Sequence, residues 1–168
     1  MKIVGTRAEI EKLGNVLPEE FFDYFFGKSN VKYELIDGNN GEDAASERDM
    51  IIYGEGYLPS KYSGGVRCFE KLELKALEKL LDKGMIDPEG TQNYSPTVEE
   101  FYGFMQKHPL FTAHGYTVSP ERDDCRTTID GIEYNGAVTM EMVIDFTDLC
   151  KGADEFLVGT DHLYCWYD

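Results

Sequence analysis

The stretch from Thr127 to Asp168 carries nine carboxylates and one basic side chain, Lys151, yet it also holds Tyr134, Phe146, Phe156, Tyr164, Trp166 and Tyr167. A disordered acidic tail lacks such large apolar groups, because it buries too little surface to offset the entropy of ordering. The combination requires this stretch to belong to a folded unit that wears its acids on the surface. A chain of 168 residues is long enough for one domain that buries about 70% of its unfolded surface.

Charge then narrows the classes of partner. Thirty-two acids against 16 bases give a net charge of −16, unevenly spread. Residues 1–60 contribute −6, residues 61–110 contribute −1 and residues 111–168 contribute −9. Such a field repels nucleic-acid phosphates and anionic membranes, and favours basic partners, cations or simple solubility. The first residues, Met1 to Arg7, meet charge at once and show no apolar signal-peptide core. No apolar run approaches the length of a membrane span. Cys68, Cys125, Cys150 and Cys165 lack paired spacing and read as reduced thiols, so the expected location is cytoplasmic.

In the first half, Ile3-Val4 reads as a short strand. Thr6 and Glu9 fit a capping box for a helix that Gly14 would stop. Pro18 to Gly27 reads as a second helix with Phe21, Phe22, Phe25 and Phe26 on one face. Val31–Ile36 and Met50–Tyr53 read as strands, with a turn at Asp37–Gly41 after the first. Val66–Phe69 reads as a further strand. Leu72 to Lys83 is a helix with Leu74, Leu77, Leu80 and Leu81 on one face and Gly84 as its stop. Ser95-Pro96 is expected to cap the next helix, whose face is Val98, Phe101, Tyr102 and Met105 and whose end must precede Pro109.

From Leu110 the period changes to two. Phe111–Val118, Cys125–Ile129, Ala137–Phe146, Phe156–Val158 and Leu163–Tyr167 read as strands, and Asp130-Gly131 and Asn135-Gly136 compete as hairpin turn and bulge. The fold class is therefore α+β: a single domain over residues 1–168, helix-rich over 1–109 and antiparallel over 110–168. In the expected strand through Glu141 and Asp145, Met140, Met142, Ile144 and Phe146 form the core face. The two acids stand outward, about 13 Å apart, too far for a shared proton or one metal but suited to a broad negative face.

The candidate docking surface for a basic protein partner is Glu133, Glu141, Asp145, Asp148, Asp154 and Glu155. Lys71, Lys75, Lys79 and Lys83 recur every four residues and form a basic stripe, a secondary docking candidate that permits homo-oligomerisation against the acidic sheet. Cys150, His162 and Cys165 are an incomplete zinc set, and Asp37–Asp43 fails as a calcium loop because Arg48 stands where the bidentate glutamate belongs. No metal or cofactor is expected.

No hydrolase elbow, phosphate loop or zinc-protease motif is present. Cys125 with His114 as base, Asp124 as orienter and Glu121 nearby is the only enzyme-like grouping. The leading expectation is a non-enzymatic interaction module that docks a basic protein. The alternatives are a small enzyme at His114, Glu121, Asp124 and Cys125, or an inhibitor that imitates nucleic acid.

Overall fold

The computed structural model describes residues 2–5, 32–35 and 42–168, with side chains from Asp43 onward. The expected Thr6–Glu9 capping box, the Gly14 stop, the helix with Phe21, Phe22, Phe25 and Phe26, and the Asp37–Gly41 turn lie outside the described residues. Two short strands, β1 (Lys2–Gly5) and β2 (Lys32–Leu35), pair in parallel. Then follow α1 (Glu42–Tyr53), β3 (Val66–Glu73), α2 (Leu74–Asp82), α3 (Val98–Lys107), β4 (Thr112–Val118) and β5 (Thr127–Asn135). The chain closes with α4 (Met140–Cys150), β6 (Glu155–Val158) and β7 (His162–Trp166). The main sheet has the order β3-β4-β5-β7-β6, and every neighbouring pair is antiparallel. This is an α+β fold, with most helices ahead of the bulk of the sheet. Among the described residues, no helix is long and apolar enough to cross a membrane.

Local chemistry explains the element ends. β3 runs through Glu73, so the leucine helix begins two residues later than its periodicity predicts. Its stop is as expected: Gly84 adopts φ +65°, and the Gly84 and Met85 amides donate to the carbonyls of Leu81 and Leu80. The cap of α3 is Thr97 and not Ser95. The Thr97 hydroxyl accepts from the Glu100 amide, and the Glu100 carboxylate accepts from the Thr97 amide. The Ser95 hydroxyl instead accepts from the Gln92 amide in the preceding turn.

Two expected strands are helices. Met50–Tyr53 is the last turn of α1, and Met140–Cys150 forms α4 in place of the Ala137–Phe146 strand. In α4, Thr139 caps by accepting from the Met142 amide. Phe146 and Cys150 are buried four residues apart, while Met140 and Ile144 are exposed. The alternation that suggested a strand is a coincidence of a helical face at Met142, Phe146, Leu149 and Cys150 with apolar residues left outside. Neither dipeptide makes a hairpin turn: Asp130-Gly131 is a bulge inside β5, Asn135-Gly136 ends β5 ahead of α4, and the β4–β5 connection is the loop of residues 119–126.

The core lies on one face of the sheet. Leu77 and Leu80 of α2, Phe101, Phe104 and Met105 of α3, and Phe146 of α4 pack on Phe69, Leu72, Ala113, Ile129, Ile132, Leu163 and Cys165. A run of rings crosses it: Phe104 meets Phe111 edge-on at 4.8 Å, Phe111 stacks on Phe146 at 5.9 Å, and Phe146 stacks on Phe156 at 5.3 Å. These contacts tie α3, α4 and β6 together, with Phe111 standing just ahead of β4.

α1 approaches the same face through charge. Arg48 and Asp49 are both fully buried. Arg48 Nε and Nη2 each donate to Asp49 Oδ1 at 3.0 Å, Nη2 also reaches the Tyr62 hydroxyl at 2.7 Å, and Nη1 reaches the Val118 carbonyl at 3.1 Å. Tyr62 donates to Asp49, and the Thr117 hydroxyl joins Tyr62 and Tyr53. Burial pushes the Tyr53 hydroxyl up to about 12. Removing one member leaves the other charge buried and uncompensated, which costs about 3–5 kcal/mol, whereas an apolar pair of similar volume is often neutral. Urea unfolding should therefore show Asp49→Ala destabilised by about 3–5 kcal/mol, and the double variant Arg48→Met/Asp49→Leu far less.

Candidate functional site

Strand alternation sends Ala113, Gly115 and Thr117 of β4 towards the helices and His114 and Tyr116 to the opposite, outer face. His114 stands between two irregularities. On one side Phe69 pairs with Gly115 and Leu72 with Ala113, so Glu70 and Lys71 of β3 together oppose His114. On the other side Gly115 pairs with Ile129 and His114 with Gly131, leaving Asp130 as the extra residue of β5. A bulge re-aims the side chains beside it. Here the bulge brings the Asp130 carboxylate to His114 Nδ1 at 2.6 Å.

Gly131 is required directly beneath. A Cβ there would meet His114 Nε2 at 2.7 Å and the Cys165 carbonyl oxygen as well. The imidazole thus lies flat on the sheet, and Tyr164 of β7 stacks on it at 5.2 Å with 16° between the planes. His114 is 9% exposed, and its Nε2 is buried without a hydrogen-bond partner.

The next row repeats the arrangement. Glu133 is paired across from Tyr164, and its Oε1 accepts from Asn135 Nδ2 at 2.9 Å and meets His162 Nε2 at 3.0 Å. Burial alone would raise the Glu133 carboxyl, but hydrogen bonds from Asn135 and His162 and the positive potential of the two histidines outweigh it and hold it below the usual glutamate range. Burial first, then the nearby Glu155 and Asp130 carboxylates, push the Tyr164 hydroxyl up. A cavity of about 270 Å³ opens over this face, lined in part by Cys68, Glu70, Lys71, Asp130, Glu133 and Trp166. Three carboxylates, one ammonium and aromatic rings therefore share one concave site.

Of the acidic residues expected to form one docking face, only Glu133 lies in this cavity. Glu141 and Asp145 are not 13 Å apart on a strand but one turn apart on α4, where Lys107 reaches both, at 3.1 and 2.6 Å. His108 also meets Asp145 at 2.7 Å. Asp148 is exposed on α4, and Asp154 and Glu155 stand at the start of β6, with the Asp168 amide donating to Asp154.

The lysine stripe divides as well. Lys71 belongs to β3 and lines the cavity, Lys75 and Lys79 lie on α2, and Lys83 follows α2 and pairs with Glu47 of α1 at 2.7 Å.

The grouping of His114 with Glu121, Asp124 and Cys125 does not assemble. His114 is engaged by Asp130 in mid-strand, while the other three sit in the loop beyond Val118. Arg122 and Arg126 clamp Asp124, and the Arg122 hydrogen bond holds its carboxyl far below the usual range. The Cys125 thiol donates to the Val118 carbonyl, and burial pushes its pKa up, against thiolate chemistry. Glu121 is exposed.

Sequence reasoning missed Asp130, Tyr164 and Cys68 as neighbours of His114. The signal for Asp130 was present in the Asp130-Gly131 dipeptide, whose bulge reading is the correct one. Among the described residues, no group of three His, Cys, Asp or Glu converges as a metal site. Comparison with protein-family models, with curated proteins and with solved structures finds no match.

The depressed Glu133 pKa carries a sign. A carboxylate held below its unfolded value near 4.3 adds stability above that value and loses it as pH falls through the folded pKa. Denaturation followed from pH 6 to pH 2 should show wild-type stability falling more steeply than that of Glu133→Gln on the acid limb. Parallel curves would remove the linkage.

Proposed function

We propose that the protein is a cytoplasmic, non-enzymatic interaction module whose outer sheet face receives a cationic side chain of a basic protein partner. One observation carries the reading: Glu70, Asp130 and Glu133 line one small cavity together with Tyr164 and Trp166, in a chain with net charge −16. Aromatic faces attract a lysine or arginine head group, and carboxylates supply its hydrogen-bond acceptors. The overall field draws a basic partner in, and the cavity would anchor it. Lys71 also lines the cavity and opposes a cation there, so binding depends on the three carboxylates outweighing it.

A second reading, a small enzyme, is favoured by a different observation. Asp130 orients His114, and the exposed Cys68 lines the same cavity. Nucleophile, base and orienter would then be Cys68, His114 and Asp130 rather than the loop residues. The closed position of Nε2 between Gly131 and Tyr164 weighs against it, because the base must open before it can take a proton. For an inhibitor that imitates nucleic acid, carboxylates should be arrayed along one extended face. Glu141 and Asp145 instead share Lys107, and Asp124 is held by two arginines.

Trp166 is the only tryptophan of the chain and lines the cavity, so its emission reports occupancy directly. Titration with an arginine-rich peptide at 50 mM salt should change Trp166 emission. Glu133→Gln and Glu70→Gln should each weaken the effect by about 2–10-fold, and 300 mM salt should weaken it further. An emission unchanged by any basic peptide at low salt removes the reading. Alkylation by iodoacetamide separates the two functions. Cys68 should react first and Cys125 slowly, and His114→Asn should leave the Cys68 rate at pH 7 unaltered. A tenfold fall in that rate would favour the enzyme.

A further inference from the structure

The two edges of the main sheet differ in how they are protected. β3 is interrupted by its bulge at Glu70-Lys71, carries Arg67, Glu70, Lys71 and Glu73, and runs straight into α2. Charges and bulges of this kind discourage a further strand from pairing. β6 has no bulge, proline or lysine, and its sequence is Glu155-Phe156-Leu157-Val158. All four residues are exposed, with Phe156, Leu157 and Val158 at 40%, 45% and 43%. The register with β7 gives the direction of its backbone. The Gly159 amide donates to His162, and pairing runs from Val158↔Leu163 to Glu155↔Trp166. Alternation from that first bonded pair turns the Phe156 and Val158 N–H and C=O groups away from β7, to an edge that is unpaired among the described residues.

Charge identifies what this edge would take. Asp154 and Glu155 stand at one end, with the Asp168 amide bonded to Asp154, and Asp161 stands in the tight connection at the other end. Glu155 and Leu157 pair with Trp166 and Tyr164, so β6 continues the outer face that bears the cavity. A second copy of this chain would bring the same acids against these acids. An extended segment that alternates basic with β-branched residues meets them with opposite charge.

We propose that β6 is a strand-addition site, where an extended basic segment of the partner pairs with the Phe156 and Val158 backbone and lays alternate cationic side chains over Glu155, Leu157, Tyr164 and Trp166. The inference rests on the reading of a basic partner, and adds to it the conformation and the place of the bound segment. Backbone pairing supplies affinity and alternate side chains supply specificity, as in other β-augmentation.

The probe is a nine-residue peptide alternating lysine with valine, titrated into the full chain and followed by amide hydrogen exchange and Trp166 emission. The expected result is protection of the Phe156 and Val158 amides. Affinity should fall about tenfold for Val158→Pro, which removes an outward N–H while leaving the pairing with β7 intact. A peptide with proline at alternate positions, tested on the unaltered protein, should bind no better than the variant, which keeps the test sound if Val158→Pro folds poorly. A glutamate–valine peptide should not bind. Binding of the lysine peptide with no protection at Phe156 and Val158 overturns strand addition and leaves the basic-partner reading standing, whereas no binding of any basic peptide sinks both. Sedimentation showing a dimer lost in Val158→Pro would assign the edge to a second copy, and so overturn the proposal.

Discussion

The strict alternation of side chains across an antiparallel strand is the constraint on which the rest of this molecule depends. On β5 and β7 it places Ile132, Leu163 and Cys165 beneath the helices, and Gly131, Glu133, Tyr164 and Trp166 above. A shift of one residue would exchange the two sets and expose the core. Core and candidate site are therefore two faces of one register. The bulges beside His114 are the local exceptions. At the β5 bulge an added residue turns Asp130 onto the face where His114 lies.

A second constraint is polar. The Arg48–Asp49 pair is held by Tyr62, Thr117 and the Val118 carbonyl. It joins α1 and the segment after it to the end of β4, from which the 119–126 loop departs. Arg48 Nη1 also reaches the Cys125 sulfur, so the loop that resembles a reactive centre in sequence is part of this scaffold. Its thiol is engaged by Arg48 and the Val118 carbonyl, and the candidate site lies at the middle of the strand.

The errors in reading the sequence have physical causes. The hydrophobic period that marks a helix is missing from α1 because its fully buried positions include an ion pair, Arg48 and Asp49, so only Met50 to Tyr53 carried an apolar signal. In α4 the apolar residues Met140 and Ile144 are exposed, and they completed a false alternation with Met142 and Phe146. Where burial and hydrophobicity agree, the reading holds: Leu77 and Leu80 of α2, Val98, Phe101 and Met105 of α3, and the β4 and β7 strands fall where their periods place them. Of the site, His114 and Glu133 were visible as isolated residues. Their partners were not, because Asp130 reaches His114 only through a bulge and Tyr164 only across the strand order β4-β5-β7.

The sequence by itself determined the class of the molecule: an acidic α+β fold whose C-terminal aromatics belong to folded structure and not to a disordered tail. Composition and local period carry that information, since each depends on residues near one another in the chain. Only the tertiary structure decided which partners each acid meets. Lys107 and His108 hold Asp145 across a helix pair, Arg122 and Arg126 hold Asp124 within a loop, and Asp130 and Glu133 face a cavity beside Trp166. A carboxylate's role depends on what lies within a few ångströms of it, and strand order and register set those neighbours.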